Sequence, residues 1–467
     1  MSGPFHEIEV GEFERRVSAE CESGVPLGAY ASSDGVHYVF LGARGAFTLE
    51  RPHADGRAAP AFSATFPLFS WDEREMRDEW DVHFADLPDS RPLRGQNGRM
   101  PAALLATGGG LMHMVVGPVH AGIIEPGRFT FSSGGETVVH LDAQLSYSHR
   151  GVERHLCGTD ALEAAASVAR ICGGCSASRS LAFAHALEHL AGIEIDSGAE
   201  LARLVVAELE RIYNHLADLA ASAAGAGWGP GFARGMALKE RAMRACRFAG
   251  GHRLLFDAIV PGGVGPNTLR ETSGLRVALR ALASSVEHYL KSLFGNPSVV
   301  ARWERAGVVS HKRARAFGAV GPASRASGGK IDIRVFAPYG AYRQIRVDAA
   351  CASGGDAFAR CCVKRDELRG SFRIIDEALA QLGDARPAAP KALRVGPGTA
   401  IGVVEGPRGA ETVAVHIDER GRLSRLHVIS ASYRNWPIVA AAMDGNIVPD
   451  FPLVNKSFNL CYACADR

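Results

Sequence analysis

Two cysteine pairs of the form C-x-x-C, one in the first half of the chain and one near its end, most constrain the fold. The first pair is Cys172 and Cys175 in RICGGC, and the second is Cys461 and Cys464 in NLCYAC. Two intervening residues let both thiolates reach one metal ion from a tight turn. Because the pairs of a zinc ribbon usually lie within ~20 residues of each other, a site built from these pairs must be assembled by tertiary structure.

Composition limits the class of protein. The chain has 467 residues, of which 47% are hydrophobic and 22% charged, and its formal net charge is +2. This length suffices for two domains, and the small net charge gives no indication of a nucleic-acid partner. The sequence has no apolar run of about 18 residues and no signal-peptide core near its start. It therefore predicts a cytoplasmic protein whose link to a membrane depends on partner subunits.

The patterning predicts an α+β fold: a small N-terminal α+β domain, then a large, mainly helical bundle domain with peripheral β-sheets. The elements predicted for the first domain are strands at 36–42, 46–52 and 58–69 and a helix at 70–84. Ser70 and Asp72 can cap that helix, and the Pro/Gly/polar stretch 86–101 is the best linker. We therefore expect two domains, 1–100 and 101–467.

The second domain begins with a β-rich segment and then becomes strongly helical. Its predicted elements are strands within 111–145, helices at 160–170, 197–224, 232–257, 268–294 and 354–382, and strands at 399–405, 411–417 and 424–430. Thr159 is a plausible N-cap for the first of these helices. The helix at 197–224 has an apolar stripe of helical period. The four longer helices are long enough to form a bundle core.

Three chemistries are open to the two cysteine pairs. The chain has ten cysteines, and in a large cytosolic chain these indicate thiols or metal ligands rather than a disulfide framework. The four paired cysteines could hold a structural zinc ion. Redox-active dithiols are less favoured, because the βαβ context of a thioredoxin motif is absent. The third possibility, a redox-active metal centre, depends on the residues around the pairs.

Those surrounding residues carry a resemblance to a known family. RICGGCSASRSLAFAHALE is similar to the N-terminal nickel-binding motif of the NiFe-hydrogenase large subunit, and KSFNLCYACADR to its C-terminal partner. The chain most resembles the energy-converting, formate hydrogenlyase-like (group 4) type, which is homologous to the 49-kDa subunit of complex I. Supporting segments occur in the family's order: GPVHAGIIEPGRFTF, SHRGVER, GGHRLLFDAIVPGGV, VEGPRGAE and RNWP. The segment FSWDEREMRDEWDVHFADLPDSRPLR resembles the complex I 30-kDa subunit, fused in front.

The resemblance implies a nickel–iron centre whose iron carries CO and cyanide. Cys172 and Cys461 would be terminal nickel ligands, whereas Cys175 and Cys464 would bridge nickel and iron. Soft thiolates suit such metals because electron-rich sulfur stabilises low oxidation states. No further cysteine cluster indicates an iron–sulfur cluster in this chain.

Other site residues follow from the same resemblance. Arg408 in VEGPRG matches the arginine held over the open metal position, and Glu125 in IIEPGRF matches a glutamate that relays a proton from a metal-bound thiolate. Glu153 matches a position that holds the C-terminal segment, and we expect it to pair with Arg467. His120 is interpreted as a structural histidine.

The sequence departs from the family pattern in three places. Asn459 and Leu460 stand where Asp-Pro is usual, which removes a carboxylate from above the metals. Arg179 replaces a histidine; it can still donate a hydrogen bond to a cyanide nitrogen but is always charged. Arg128 replaces a histidine after Glu-Pro-Gly. None of these changes removes a metal ligand.

The resemblance therefore implies an enzyme, the catalytic large subunit of an energy-converting NiFe-hydrogenase-like complex that interconverts H2 with protons and electrons. The implied partners are a small iron–sulfur subunit like the complex I 20-kDa subunit, a ferredoxin-like subunit, and integral-membrane antiporter-like subunits. The complex would lie on the inner face of the cell membrane. One alternative is a nickel-free 30/49-kDa fused subunit, like those of NADH:quinone oxidoreductase, that reacts with a quinone or another carrier. The other is a scaffold protein with structural zinc.

Overall fold

The computed structural model of the chain describes residues 2–7, 10–52, 58–95, 99–120, 124–383 and 385–467. Within these ranges the fold mixes long helices with several small sheets. None of the described helices is long and apolar enough to cross a membrane. Two predicted segments fall partly outside the description: residues 96–98 of the linker and residues 121–123 of GPVHAGIIEPGRFTF.

The N-terminal part is a four-stranded sheet with two helices. Its elements are β1 (Ser2–Glu7), α1 (Val10–Ser23), β2 (Val25–Ala31), β3 (Gly35–Gly42), β4 (Gly45–Pro52), β5 (Ala59–Pro60), α2 (Ser70–Trp80) and β6 (Phe84–Ala85). The sheet order is β1-β4-β3-β2, with only β1 parallel to its neighbour. Aromatic rings fill its core: Tyr38 meets Phe13 and Phe69 edge to face, with centroids 5.8 and 4.8 Å away.

The predicted strand at 58–69 is wrong. Only β5 is extended there, and short 3-10 helices follow at Phe62–Ala64 and Pro67–Phe69. The buried Glu73 carboxylate accepts the backbone amides of Phe62 (2.7 Å) and Ser63 (3.2 Å), so these amides bond to a side chain instead of a neighbouring strand. The predicted caps of α2 are also wrong, because no side chain caps this helix and Asp72 accepts the Ala29 amide instead.

A three-stranded antiparallel sheet follows, with β7 (Leu111–Val116), β8 (Arg128–Gly134) and β9 (Thr137–Gln144) in that order. It agrees with the β-rich segment predicted at 111–145.

The helix predicted from residue 160 is shorter than expected. It begins only at Ala164, and Asp160 rather than Thr159 accepts the amides before it, those of Leu162 and Glu163. The Thr159 hydroxyl donates back to the Leu156 carbonyl.

The helical body is built around one long buried helix. Its elements are α3 (Val152–Leu156), α4 (Ala164–Ala169), α5 (Ser176–Leu190), α6 (Ser197–Gly225), α7 (Gly229–Gly250), β10 (Ile259–Val260), β11 (Gly263–Val264), α8 (Ser273–Phe294), α9 (Pro297–Trp303), α10 (His311–Ala316), α11 (Gly321–Arg325), α12 (Ile333–Phe336) and α13 (Ala357–Leu382). Asp196 caps α6, which packs between α7 and α13. The four long helices that the sequence predicted are therefore present.

The last part of the chain is a second three-stranded antiparallel sheet and three helices. Its elements are β12 (Gly398–Gly406), β13 (Gly409–Ile417), β14 (Leu423–Ile429), α14 (Ala431–Ala441), α15 (Phe451–Phe458) and α16 (Tyr462–Asp466). The N-terminal sheet packs against it: the Tyr30 hydroxyl lies 3.1 Å from Nε2 of His416, and Arg425 donates to the Ala31 carbonyl. The domain boundary at residue 100 stays a prediction.

Candidate metal centre

The fold brings the two cysteine pairs together. Cys172 and Cys175 lie on the connection between α4 and α5, whereas Cys461 immediately precedes α16 and Cys464 lies within it. The four sulfur atoms all lie within 4.8 Å of one another. Three of the cysteines are buried and Cys461 is half-buried. Residues from distant parts of the chain thus form one soft, enclosed donor set that fits a metal ion or a small metal cluster.

The first pair is held in a tight turn at the start of α5. The Cys175 amide donates to the Cys172 carbonyl, and the Gly174 amide donates to the Cys172 sulfur, each at 3.3 Å. Gly174 lies against the second pair: a Cβ there would be in ordinary van der Waals contact, 3.4 Å from Sγ of Cys461 and 3.7 Å from Nη1 of Arg408. Gly173 is the tighter position, because a Cβ there would meet Cδ1 of Leu254 at 2.9 Å.

A buried carboxylate, Glu210 of α6, fixes the first turn of α5. It accepts the amides of Ala177 (2.6 Å) and Ser178 (3.0 Å) and the Ser178 hydroxyl (2.7 Å). Burial raises the pKa of Glu210 to about 7, although these donors favour its charged form. Because α5 begins directly after Cys175, Glu210 orients this cysteine without touching it.

The second pair is held by the start of α14. The Ser432 hydroxyl accepts the Cys461 amide (3.0 Å), and the Ser430 hydroxyl donates to the Cys464 carbonyl (3.1 Å). The indole of Trp436 donates to the Cys461 carbonyl (3.4 Å). Neighbouring thiols donate hydrogen bonds to the sulfur of Cys461 and hold its pKa well below the ordinary value. Because Cys172 and Cys175 are the donors and are buried, their own pKa values are raised well above it. A thiolate is the form that binds metal.

Arg408 projects toward the sulfur atoms from the turn between β12 and β13. Its Nε donates to the Asn459 carbonyl (2.6 Å), Nη1 donates to Oδ1 of Asn214 (2.7 Å), and Nη2 lies 3.3 Å from Oδ1 of Asp218. Burial opposes its charge, but Cys461 and Asp218 outweigh burial and raise its pKa well above the ordinary value. Gly409 allows the turn, since its φ is +125° and a Cβ would meet the Gly321 amide nitrogen at 2.6 Å.

Arg179, one turn into α5, lies on the other side of the cluster. Its Nη2 is 3.0 Å from Oε2 of Glu411 and 3.2 Å from Sγ of Cys464. Its Nε and Nη1 are buried and have no hydrogen-bond partner among the described residues. Burial raises the pKa of Glu411 to about 7, even with Arg179 beside it. Two unpartnered buried donors beside a thiol are unfavourable unless an acceptor occupies the site.

The structure supplies a carboxylate where the sequence pattern lacks one. The side-chain Nδ2 of Asn459 donates to Oδ1 of Asp218 at 2.6 Å, and Lys364 lies 2.8 Å from Oδ2 of the same carboxylate. Burial would raise the pKa of Asp218, but Lys364 and Arg408 lower it below its ordinary value. Asn459 also ends α15 in a left-handed conformation (φ +50°), which asparagine tolerates well. Asn459 is thus matched to Asp218, a residue that the sequence analysis missed.

Glu125 lies near the second pair. The residue is exposed, but its Oε2 reaches inward and accepts the Ala463 amide at 3.0 Å. Partial burial of the carboxyl raises the pKa of Glu125, and Cys464 adds to that shift. Nε2 of His120 lies 2.7 Å from the Gly127 carbonyl, a contact that suits a structural histidine. Arg128 begins β8.

The pairing predicted for the C-terminal segment is present. Nη1 of Arg467 lies 2.9 Å from Oε1 of Glu153 and 2.9 Å from the Val428 carbonyl. Both residues are buried. The preceding residue, Asp466, accepts the amides of Ser146 (2.7 Å) and Ser148 (2.9 Å). The segment that bears the second cysteine pair is therefore held in place by contacts of one basic side chain, Arg467, and one acidic side chain, Asp466.

Asp218 belongs to a chain of buried charges along α6. His215 lies 2.8 Å from Glu367 of α13, and Arg211 lies 3.1 Å from the same carboxylate and 3.2 Å from Glu208. All of these side chains are essentially inaccessible to water. Charged residues within an otherwise apolar helical stripe were the sequence signal for this network. Their partners on other elements were not visible in the sequence.

Family and structure comparisons agree with this architecture. The family model for the respiratory-chain NADH dehydrogenase, 49 Kd subunit, matches residues 227–392 and 387–467, and the model for nickel-dependent hydrogenase matches residues 150–219. Together these stretches contain both cysteine pairs. The chain is 29% identical to hydrogenase-4 component G of Escherichia coli (strain K12) over 443 residues, which cover 89% of this chain and 77% of that protein.

The chain is also similar to a subunit of a formate hydrogenlyase and to a solved structure of a respiratory membrane complex. The chain is 27% identical to formate hydrogenlyase subunit 5 of Escherichia coli (strain K12), with coverage of 87% of this chain and 77% of that protein. It also matches a structure of the membrane-bound sulfane sulfur reductase, an archaeal respiratory membrane complex. The TM-score is 0.70 at 24% identity, and the match covers 76% of this chain and 98% of that one. The structural match supports the fold, and the sequence matches confirm the resemblance to the NiFe-hydrogenase large subunit and the 49-kDa subunit.

Proposed function

The chain belongs to the family of the 49-kDa subunit of respiratory-chain NADH dehydrogenase, and we propose that it is the catalytic large subunit of a membrane-associated, energy-converting NiFe-hydrogenase-like complex. The reaction is H2 ⇌ 2H+ + 2e−, with the electrons passed to a partner iron–sulfur subunit. The observation that carries this proposal is the convergence of four cysteine sulfur atoms within 4.8 Å of one another.

The residues around the cluster fit a nickel–iron centre. Cys172 and Cys461 would be terminal ligands to nickel, and Cys175 and Cys464 would bridge it to iron. When bound, the centre supplies an open coordination position and the redox change needed to split or form H2. The unpartnered Nε and Nη1 of Arg179 beside Cys464 support iron-bound cyanide, whose nitrogen accepts hydrogen bonds.

Arg408 would provide a fixed positive charge beside the cluster. Three contacts, to Asn459, Asn214 and Asp218, hold its guanidinium in one orientation. Because the donors are already oriented, little reorganisation is needed when the charge distribution of H2 changes during the reaction. In this role Arg408 polarises H2, and Asp218 and Asn459 keep the arginine in place.

Glu125 would carry protons between the cluster and solvent. Its carboxyl contacts the amide of Ala463, between the two cysteines of the second pair, and the residue itself is exposed. A raised carboxyl pKa suits this task, because a proton carrier works best when its pKa approaches the working pH. We place the outward end of the proton path at this residue.

The partners follow from the same proposal. A small iron–sulfur subunit would take the electrons, a ferredoxin-like subunit would continue the electron path, and antiporter-like membrane subunits would anchor the complex at the inner face of the cell membrane. Relatives of the chain include a formate hydrogenlyase subunit, which supports a multisubunit assembly. The first ~100 residues would form a domain like the complex I 30-kDa subunit, and residues 101–467 the 49-kDa-like, hydrogenase-type domain.

Substitution of one ligand tests the proposal. Cys461→Ser replaces a soft thiolate with a hydroxyl and should abolish nickel retention in protein matured with its accessory factors. Cys246→Ser is the matched control, because this cysteine is buried but lies outside the cluster. The control should retain nickel as the wild type does. Normal nickel content in Cys461→Ser would refute the ligand assignment, and stoichiometric zinc in the wild type would favour a structural site.

A further inference from the structure

Helix α2 of the N-terminal part reaches the segment that carries the second cysteine pair. The carboxylate of Glu75, on α2, is bound by the guanidinium of Arg467, and its Oε2 accepts the Tyr433 hydroxyl at 2.9 Å. Glu75 is buried, and Arg467 is almost completely so. Asp72, three positions before Glu75, pairs with Arg434 at 3.0 Å. One face of α2 is thus joined to both α14 and Arg467.

Arg467 has two carboxylate partners from two different helices. Its Nη1 meets Glu153 of α3, and its Nη2 meets Glu75 of α2. The guanidinium also lies 4.5 Å from the centre of the Tyr433 ring. Burial alone would raise the pKa of Glu75, but Arg467 and Arg94 lower it to about 2, so the carboxylate is charged. Each of these buried charges therefore depends on the others.

The consequence for the metal site comes from the short helix α16. A helix of five residues has little stability of its own and depends on packing and anchors. Arg467 directly follows α16, and its amide donates to the carbonyl of Ala463, next to Cys464. Through Tyr433, Glu75 also contacts α14, whose N-terminal residues Ser430 and Ser432 bind the backbone of both cysteines.

We propose that Glu75 is a positioning residue for the metal centre. With Glu153 it forms a two-carboxylate seat for Arg467, and it thereby makes closure of the second cysteine pair depend on docking of the N-terminal part. Glu75 touches neither the metals nor the sulfur atoms and acts through Arg467 and Tyr433. The identity of the metals rests on the function proposed above, whereas the seat itself rests only on these contacts.

The test compares Glu75→Gln with a control from the same helix in the full-length chain. Glu73→Gln is matched, because Glu73 is equally buried but binds Tyr38, Phe62 and Ser63 within the N-terminal core. The metal-free readouts are hydrogen exchange in residues 462–467 and the alkylation rate of Cys461 and Cys464. We expect Glu75→Gln to raise both at least about tenfold, since it leaves a buried charge poorly paired. Glu73→Gln should leave both rates unchanged.

Metal content provides the second readout. If the wild type loads nickel, Glu75→Gln should retain less of it per chain than Glu73→Gln. If the wild type loads none, the proposed function fails while exchange and alkylation still test the seat. If Glu75→Gln does not fold, Tyr433→Phe removes one hydrogen bond to Glu75 and should raise exchange of the segment more than Glu73→Gln does. Equal hydrogen-exchange rates of residues 462–467 in Glu73→Gln and in the folded test variant, Glu75→Gln or Tyr433→Phe, would overturn the proposal.

Discussion

Asp218→Asn tests whether the carboxylate beneath Arg408 organises the site. Asp218 is fully buried and lies 2.8 Å from Lys364 and 3.3 Å from Arg408. It also accepts a hydrogen bond from the side-chain amide of Asn459. The substitution keeps the shape of the side chain and removes its charge, so two buried cations lose their shared counter-charge. Breaking a buried ion pair in this way costs about 3–5 kcal/mol, and we expect the free energy of unfolding to fall by that amount.

The assay is urea denaturation of the metal-free chain at pH 7, with Asp376→Asn as the control. Asp376 also faces two arginines, Arg276 and Arg280, but it is about half exposed, so its loss should cost at most about 1 kcal/mol. The folded-state pKa of Asp218 lies below its unfolded value of about 3.9. Its charge therefore contributes fully to the free energy of unfolding above about pH 3.9, and this contribution declines as the pH falls further. A loss of stability in Asp218→Asn no larger than that in Asp376→Asn would show that the Asp218 carboxylate does not organise the site.

Two further substitutions test neighbouring features. Asn459→Asp sets a second carboxylate against Oδ1 of Asp218, 2.6 Å from the present amide. One of the two pKa values should rise, so urea denaturation should show a larger loss of stability at pH 7 than at pH 5. Equal losses of stability at pH 7 and pH 5 would count against this coupling between the two carboxylates. Gly409→Ala forces a Cβ to 2.6 Å from the Gly321 amide at φ +125°. Calorimetry should show a loss of at least about 1–3 kcal/mol, and an unchanged melting temperature would contradict this.

The sequence predicted the parts of the molecule that depend on local pattern. The four long helices follow from the apolar period, and the strands of β3, β4, β7–β9 and β12–β14 from alternation and turn residues. The convergence of the four paired cysteines was predictable because C-x-x-C spacing is itself a chelating geometry. The pairing of Glu153 with Arg467 was predicted through family resemblance, and the structure places the two side chains 2.9 Å apart.

The sequence did not predict features that depend on distant contacts. The strand at 58–69 was wrong because Glu73, on the following helix, takes up its amides. Asp218 and Asn459 are 241 positions apart, so nothing in the sequence showed that one supplies the carboxylate missing beside the other. Glu75 was hidden for the same reason: its partner Arg467 belongs to the other end of the chain. Such residues become identifiable only when the fold brings them together.

We propose that Cys172, Cys175, Cys461 and Cys464 hold a nickel–iron centre. The decisive measurement is metal analysis combined with infrared spectroscopy on protein matured with its accessory factors. We expect stoichiometric nickel and iron together with absorption bands of iron-bound CO and cyanide. Nickel well below stoichiometry, with no such bands, would contradict it.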